Sequence, residues 1–220
     1  VPIHMDEVDP DALGDVAYGI FEHLLHRELR ESGRSLYRLV EDGVDFAADL
    51  ERVFDGFRED YPPLADALLD RFGTVGAILE AIQAGEGVVP TATTQMYWIV
   101  EDAPRARPDA VDDELAGKWL IFLPAEGIDA HWRRIRDATA SGELGISAKV
   151  STAKPNPDAR DDRYVIYVYT ADWRDEQEVM RVREVLRRLG VEDRIGYKRN
   201  LDTFRGEYSK KGKRVTYYSA

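Results

Sequence analysis

The sequence predicts an α+β protein in which an all-helical N-terminal region precedes an antiparallel sheet with helices on one face. Apolar residues recur at helical spacing through roughly the first 90 positions. Later, residues 145–154 and 164–170 alternate apolar with polar or aromatic side chains, the pattern of half-buried strands. Residues 1–116 carry a net charge of −17 and residues 117–220 a net charge of +5. We therefore expect two domains, an acidic helical region at 1–90 and an α+β domain at 91–220.

Composition excludes several classes of site. The chain of 220 residues is 44% hydrophobic, which is enough for a sizeable core. It has no apolar run of membrane-spanning length and no signal-peptide pattern, so the expectation is a cytoplasmic protein that does not enter a membrane. The absence of cysteine excludes disulfides, thiolate zinc sites and a cysteine nucleophile. The expectation is no cofactor and no metal.

The charged residues are biased in type as well as in distribution along the chain. The chain is acidic and prefers arginine, and all seven lysines follow residue 117. A halophilic protein or a GC-rich genome would each produce this bias. The acidic N-terminal region is an expected surface for a protein partner, and each lysine is an exception worth examining.

The N-terminal half reads as a series of amphipathic helices. Asp9 and Pro10 form a helix start, and the periodic pattern then continues to Gly33. Further helices are predicted at 35–41 and 45–58. His23 and His26 lie three apart on the first helix, but no carboxylate set at ligand spacing accompanies them, so packed or solvated histidines are the preferred interpretation.

Residues 61–81 resemble the second half of the helix-hairpin-helix modules of DNA-repair proteins, on the phrase Leu-Leu-x-Arg-Phe-Gly-Thr. In that family a Gly-x-Gly hairpin offers backbone N–H groups to a phosphate. Here Tyr61-Pro62-Pro63 stands at that position, and proline has no N–H to donate. A structural helical turn is therefore preferred over DNA binding.

The C-terminal half alternates strand and helix patterns. Strands are predicted at 94–101, 117–123, 145–154, 164–170, 194–198 and 214–218, and helices at 128–141 and 175–189. Gly142 and Gly190 follow the two helices and are expected to end them. Trp119 and Trp132 are expected in the core between helix and sheet.

This order of elements, with its particular phrases, is similar to the cap-binding translation initiation factor 4E superfamily. The phrases are Gly117-Lys-Trp-Leu-Ile, a helix containing Trp132, Ser147-Ala-Lys-Val-Ser-Thr152, a strand ending at Thr170, and Ile195-Gly-Tyr-Lys. Over residues 94–220 the chain most resembles a branch named after a basophilic leukaemia-expressed protein. The resemblance implies a curved antiparallel sheet with helices on its convex face and a ligand site on its concave face.

In cap-binding members two tryptophans sandwich a methylated guanine, and arginines and lysines hold the phosphates. The resemblance places the phosphate-binding position at Ser151 and an aromatic position at Tyr169. Trp98 matches one stacking tryptophan, although it lies farther from Gly117 than the family spacing. No second stacking tryptophan can be placed, so the resemblance does not extend to cap recognition as such.

Lys149 is the leading candidate residue, because it lies mid-strand between hydroxyl side chains and faces the tyrosines of the next strand. A solvated lysine on an open sheet is the structural alternative. The complete predicted ligand-binding set is Lys149, Ser151, Lys154, Tyr167, Tyr169, Lys118, Lys198, Arg199 and Trp98. Residues 210–214 form a basic cluster that suits either a nucleic-acid backbone or a turn between strands.

Two functions follow from these residues. The first is a non-catalytic module that binds a nucleotide, an RNA end or another phosphate-bearing ligand on the concave face. The second comes from a fainter resemblance to phosphothreonine lyases, which implies β-elimination with Lys149 as the base. That reaction also needs a general acid, and the only C-terminal histidine, His131, falls on a predicted helix.

Overall fold

The structure is a computed structural model that describes residues 9–107, 110–204 and 216–220. The chain divides into two compact units. The first contains residues up to Tyr97 together with Thr152–Pro155, and the second contains Trp98–Ser151 and Asn156–Ala220. Whether the regions 1–90 and 91–220 are independent domains stays a prediction, to be tested by truncation.

The first unit is helical, as predicted. Its described residues form five helices and a short 3-10 turn at Pro90–Ala92. The helices are α1 (Pro10–Glu31), α2 (Leu36–Glu41), α3 (Ala47–Asp60), α4 (Pro62–Phe72) and α5 (Val75–Gln83). Their apolar faces form one buried cluster that includes Phe21, Phe54 and Phe57, whose rings lie 5.8 to 6.2 Å apart. Burial of this apolar surface is the main stabilising contribution to the unit.

The ends of α1 follow from the local sequence. The Asp9 side chain accepts a hydrogen bond from the Asp11 backbone N–H, and Pro10 occupies the first helical position. At the other end Gly33 has a φ of +72°, and the Arg34 N–H donates to the Leu29 carbonyl. This is a Schellman ending, which glycine accommodates without strain.

Residues 61–81 form α4 and α5, joined by a tight turn at Gly73 and Thr74. Arg71, from the phrase that carried the resemblance to helix-hairpin-helix modules, donates to Asp15, to Gln95 and to the Asp11 carbonyl. The Arg71 guanidinium is therefore hydrogen-bonded within the helical unit. These contacts favour the structural interpretation of the segment.

The second unit contains a curved six-stranded antiparallel sheet in the order β1-β3-β4-β2-β5-β6. The strands are β1 (Trp98–Asp102), β2 (Gly117–Leu123), β3 (Ser147–Ser151), β4 (Tyr164–Thr170), β5 (Gly196–Arg199) and β6 (Tyr218–Ser219). The predicted α+β class, with an antiparallel sheet after an all-helical region, is confirmed. The bounds of β2 and β4 are those predicted.

Two helices cover one face of the sheet, namely α6 (Ala125–Ala140) and α7 (Glu176–Arg188). Trp119 of β2 and Trp132 of α6 are fully buried, as expected, and the Trp119 indole N–H donates to the Val179 carbonyl over 3.1 Å. The alternating side chains of β3, Ala148 and Val150, are buried on this helix-covered face. The residues between them, including Lys149, therefore lie on the opposite face.

The predicted strand at 94–101 begins later than expected, at Trp98. The backbone N–H groups of Thr94 and Gln95 donate to the Glu86 carboxylate instead of to a neighbouring strand. The strand predicted at 145–154 ends at Ser151 for a related reason. The Thr152 hydroxyl donates to the Met96 carbonyl, so this β-forming residue is used in a loop contact.

The C-terminal elements also differ from the prediction in their bounds. β5 begins at Gly196, and a short helix that was not predicted, α8 (Asn200–Phe204), follows it directly. Residues 214 and 215 of the strand predicted at 214–218 lie outside the described residues, and the observed strand, β6, begins only at Tyr218. The basic cluster at 210–214 lies outside the described residues.

Candidate functional site

The face of the sheet opposite α6 and α7 carries a group of lysines and aromatic side chains. Sheet pairing aligns Lys149 of β3 with Tyr167 of β4, and Tyr169 of β4 with Lys118 of β2. Together with Trp98 at the start of β1, these residues are called the lysine–aromatic cluster. All five come from strands, whose hydrogen-bonded register fixes their positions.

Three rings surround the Lys149 ammonium. Its Nζ lies 4.2 Å from the centroid of the Trp98 ring, 5.4 Å from that of Tyr167 and 5.9 Å from that of Tyr169. Trp98 and Tyr167 stack with centroids 5.3 Å apart and an interplanar angle of 30°. These distances are typical of cation–π contacts, which hold the ammonium on the open face.

Lys118 is a second cation in the cluster and is only 9% exposed. Its Nζ lies 5.1 Å from the Tyr167 centroid and 5.5 Å from the Tyr169 centroid, and it donates to Asn200 Oδ1 over 3.4 Å. Within the part of the chain that the structure describes, neither Lys118 nor Lys149 forms an ion pair with a carboxylate. Two partly desolvated ammonium groups therefore share these rings without a neutralising carboxylate among the described residues.

Burial disfavours the charged forms of these groups. It lowers the pKa of Lys118 to about 8, with further lowering by the charges of Lys149 and Lys198. It also lowers the pKa of Lys149. Burial, with a smaller effect of Tyr167, raises the pKa of the Tyr169 phenol, which stays protonated and able to donate a hydrogen bond.

Lys198 and Ser151 lie beside the lysine–aromatic cluster. Lys198 pairs with Lys118 across β5 and β2, and burial lowers its pKa while Asp202 opposes that effect. Ser151 pairs with Trp98, and its hydroxyl accepts a hydrogen bond from the Val165 N–H over 2.9 Å. Lys198 therefore extends the basic surface, whereas Ser151 has a structural contact at the rim.

The remaining two predicted residues have other contacts. Lys154 belongs to the first unit, where its ammonium pairs with Asp15 and lies 4.7 Å from the Tyr97 ring centroid. Arg199 pairs with Asp202, and its guanidinium lies 4.8 Å from the Trp173 ring centroid and 4.4 Å from that of Tyr217. Both charges thus have an acidic partner, in contrast to Lys118 and Lys149.

A cavity of about 180 Å³ adjoins the lysine–aromatic cluster at Tyr169. Its polar lining includes Ser147, which the sequence placed on the same face as Lys149, and Asp102 and Asn200, which the sequence had not indicated. Asn200 is the clearest omission, because it is the hydrogen-bond acceptor of Lys118. The position of Asn200 directly after Lys198 and Arg199 was the one feature of the sequence that could have indicated its role.

The structure gives no sign of a metal centre or of a membrane-spanning element among the residues it describes. No group of three or more histidine or carboxylate side chains lies together there in a way that would hold a metal ion. His26 pairs with Glu22 along α1. The described helices are all too short or too polar to cross a bilayer.

Comparison with known proteins places the lysine–aromatic cluster largely within a known family region. Residues 110–203 match the family model described as basophilic leukemia-expressed protein Bles03. The match includes the β2, β3, β4 and β5 strands and therefore every residue of the lysine–aromatic cluster except Trp98. The predicted resemblance to this branch is confirmed.

Solved structures of eIF4E match about half of the chain. Schistosome eIF4E in complex with m7GpppA and 4E-BP matches with 16% identity and a TM-score of 0.40, covering 52% of this chain and 65% of that one. C. elegans eIF4E-3 with Mextli and a cap analog matches with 16% identity and a TM-score of 0.41, covering 56% and 68%. The chain thus spans only about two thirds of the length of these proteins. Its second unit is an α+β fold, and residues 110–203 of that unit match the Bles03 family model.

Proposed function

We propose that the second unit is a non-catalytic binding module for a nucleotide, an RNA end or another phosphate-bearing ligand, held on the open face of the sheet. The observation that carries the proposal is the pair of ammonium groups, Lys118 and Lys149, that lie against aromatic rings without a carboxylate partner in the described chain. A phosphate placed between them would supply the missing anion. Charge-assisted hydrogen bonds of this kind are roughly twice as strong as neutral ones.

The aromatic residues add a surface for the base. Trp98, Tyr167 and Tyr169 are each partly exposed, and base–aromatic stacking contributes about 1–3 kcal/mol per base. Rings next to cations are the usual composition of a nucleotide-binding surface. Lys198 extends the cationic surface across β5 and would contact a second phosphate.

Tryptophan fluorescence tests the proposal directly. Trp119 and Trp132 are fully buried, and Trp173 lies against Arg199 outside the lysine–aromatic cluster, so Trp98 is the tryptophan reporter within the cluster. We expect GTP, ATP and a short 5′-triphosphate RNA to quench the emission of the full chain at low salt, and Trp98→Phe to reduce that signal. Binding should weaken as salt rises, because phosphate contacts release counterions. No response to any of the three at low salt would refute the proposal.

The lyase alternative has less support from the geometry. A phosphothreonine eliminase needs a general acid opposite the lysine base. His131 lies on α6, and its Nδ1 is 2.8 Å from the Gly127 carbonyl of the same helix. Loss of phosphate from a phosphothreonine peptide, abolished by Lys149→Ala, would revive this function.

A further inference from the structure

We infer that the lysine–aromatic cluster selects against a positively charged base, because its rings already hold the ammonium groups of the chain itself. The inference rests on the proposed function and adds to it the chemical class of the ligand. That ligand would be an uncharged base bearing phosphate groups, bound through the phosphates to the lysines.

The contacts of the three rings carry the inference. Trp98 has Lys149 4.2 Å from its centroid, and Tyr167 has Lys118 and Lys149 at 5.1 and 5.4 Å. Tyr169 has the same two ammonium groups at 5.5 and 5.9 Å. Aromatic cages that recognise cationic ligands offer rings of this kind to an ammonium group brought by the ligand. In this chain the cations next to the rings are the ammonium groups of its own Lys118 and Lys149.

The consequence for a ligand is electrostatic. A cationic base stacked on these rings would lie close to two ammonium groups that already repel each other. An anion in the same place would reduce that repulsion. The neighbouring carboxylates, Asp102 and Asp113, line the adjoining cavity and form no ion pair with either lysine in the described chain. Neither carboxylate therefore neutralises the ammonium groups next to the rings, although both would oppose a phosphate placed in the cavity itself.

A matched pair of nucleotides separates charge from shape. GTP and N7-methyl-GTP carry the same phosphates, but the methyl group gives the base a positive charge. Calorimetric titration of the full chain should show that methylation lowers the affinity by more than about twofold. Lys149→Met keeps a long apolar side chain but removes the ammonium, so it should shift the preference towards the methylated nucleotide by about fivefold, equivalent to ~1 kcal/mol.

The control is Arg188→Met, which removes one positive charge from an exposed position at the end of α7. It should leave the ratio of the two affinities unchanged. A wild-type affinity for N7-methyl-GTP that is within about twofold of that for GTP, or higher, would overturn the inference while supporting the proposed function. An unchanged ratio in Lys149→Met would also overturn it. If GTP, N7-methyl-GTP and inorganic triphosphate all fail to bind, the proposed function and the inference fail together.

Discussion

The ammonium nitrogen of Lys149 lies 4.2 Å from the centroid of the Trp98 ring, although these residues do not pair in the sheet. Trp98 pairs with Ser151, and Lys149 pairs with Val100. The contact therefore runs diagonally between neighbouring strands, where only long or large side chains reach each other. Trp98 thus holds the lysine in place as well as offering a stacking surface.

This relationship predicts a graded series at position 98. Trp98→Phe keeps a ring, whereas Trp98→Leu removes the cation–π contact and leaves the ammonium unrestrained. We expect Trp98→Leu to weaken nucleotide binding by about tenfold and Trp98→Phe by less, because one cation–π contact and one stacking surface are lost. Calorimetry is the appropriate measurement, since the fluorescent reporter is removed. Equal affinities for both variants and the wild type would place the ligand elsewhere.

The lowered pKa of Lys118 predicts that phosphate binding weakens in mildly alkaline solution. Because the pKa of Lys118 is about 8, the ammonium group loses its proton as the pH rises from 7 to 9. The neutral amine no longer attracts an anion. Bound phosphate favours the charged form, so binding should be accompanied by proton uptake near pH 8. Calorimetry in buffers of different ionisation enthalpy measures that uptake.

Lys118→Met is the control for the pH dependence. It should bind more weakly at pH 7 and show a flatter profile between pH 7 and 9. A profile as steep as that of the wild type would mean that another group titrates. Circular dichroism at both pH values checks that the variant is folded.

The same substitution should stabilise the second unit. Lys118 is a buried cation without a carboxylate partner in the described residues, and methionine fills a similar volume without that desolvation cost. We expect Lys118→Met to raise the free energy of unfolding by about 1 kcal/mol, measured by urea denaturation. A destabilised variant would show that the contact with Asn200 and the two tyrosine rings outweighs the cost of burial.

The close packing at Gly145 predicts that a methyl group added there will cause a large loss of stability. A Cβ at this position would lie 1.9 Å from the Tyr169 carbonyl oxygen, which accepts a hydrogen bond from the Ile146 N–H. Gly145→Ala would therefore push β3 and β4 apart beside the lysine–aromatic cluster. We expect a loss of about 3 kcal/mol or more in urea denaturation.

Gly127→Ala provides the matched comparison for Gly145→Ala. Its nearest neighbour would be His131 Nδ1 at 3.8 Å, an ordinary contact, and the position lies within α6. Alanine favours the helix, so this change should stabilise by about 0.5–1 kcal/mol. Similar effects of the two substitutions would contradict the close approach at Gly145.

The ion pairs of Asp49 predict that the helical unit loses stability in acid. Its carboxylate accepts hydrogen bonds from Arg34 and Arg52, which hold its pKa at about 2 against the ordinary 3.8. The stabilisation is therefore present above pH 4 and is lost as the pH falls from 4 through 2. Thermal melts across this range should show a steeper loss for the wild type than for Asp49→Asn, and parallel losses would assign the effect to other carboxylates.

Much of the fold is encoded in local patterns. β2 and β4 have their predicted bounds because strong β-formers run between clear breakers, and Gly142 and Gly190 end α6 and α7 through positive-φ turns. The same local rule failed at Thr94 and Gln95. Their backbone N–H groups bond to a carboxylate eight to nine residues earlier, a contact that a propensity pattern does not contain.

The candidate site was predicted in part for a similar reason. Alternation along β3 and β4 placed Lys149, Tyr167 and Tyr169 on one face, and the structure brings these three together. The importance of Lys118 relative to Lys154 depends on sheet order and on which acidic residue lies nearby. Both are long-range properties, which cannot be read from local patterns in a single sequence.

The assignment of Thr152–Pro155 to the first unit bears on how the protein is made. These four residues follow β3 directly, yet they complete the helical unit through contacts such as that of Ala153 N–H with the Pro90 carbonyl. During synthesis from the N-terminus, the helices emerge first but remain without these residues until β1, β2, α6 and β3 have also been made. The helical unit therefore reaches its full set of contacts only after more than half of the chain has been translated, although its helices lie within the first 83 residues.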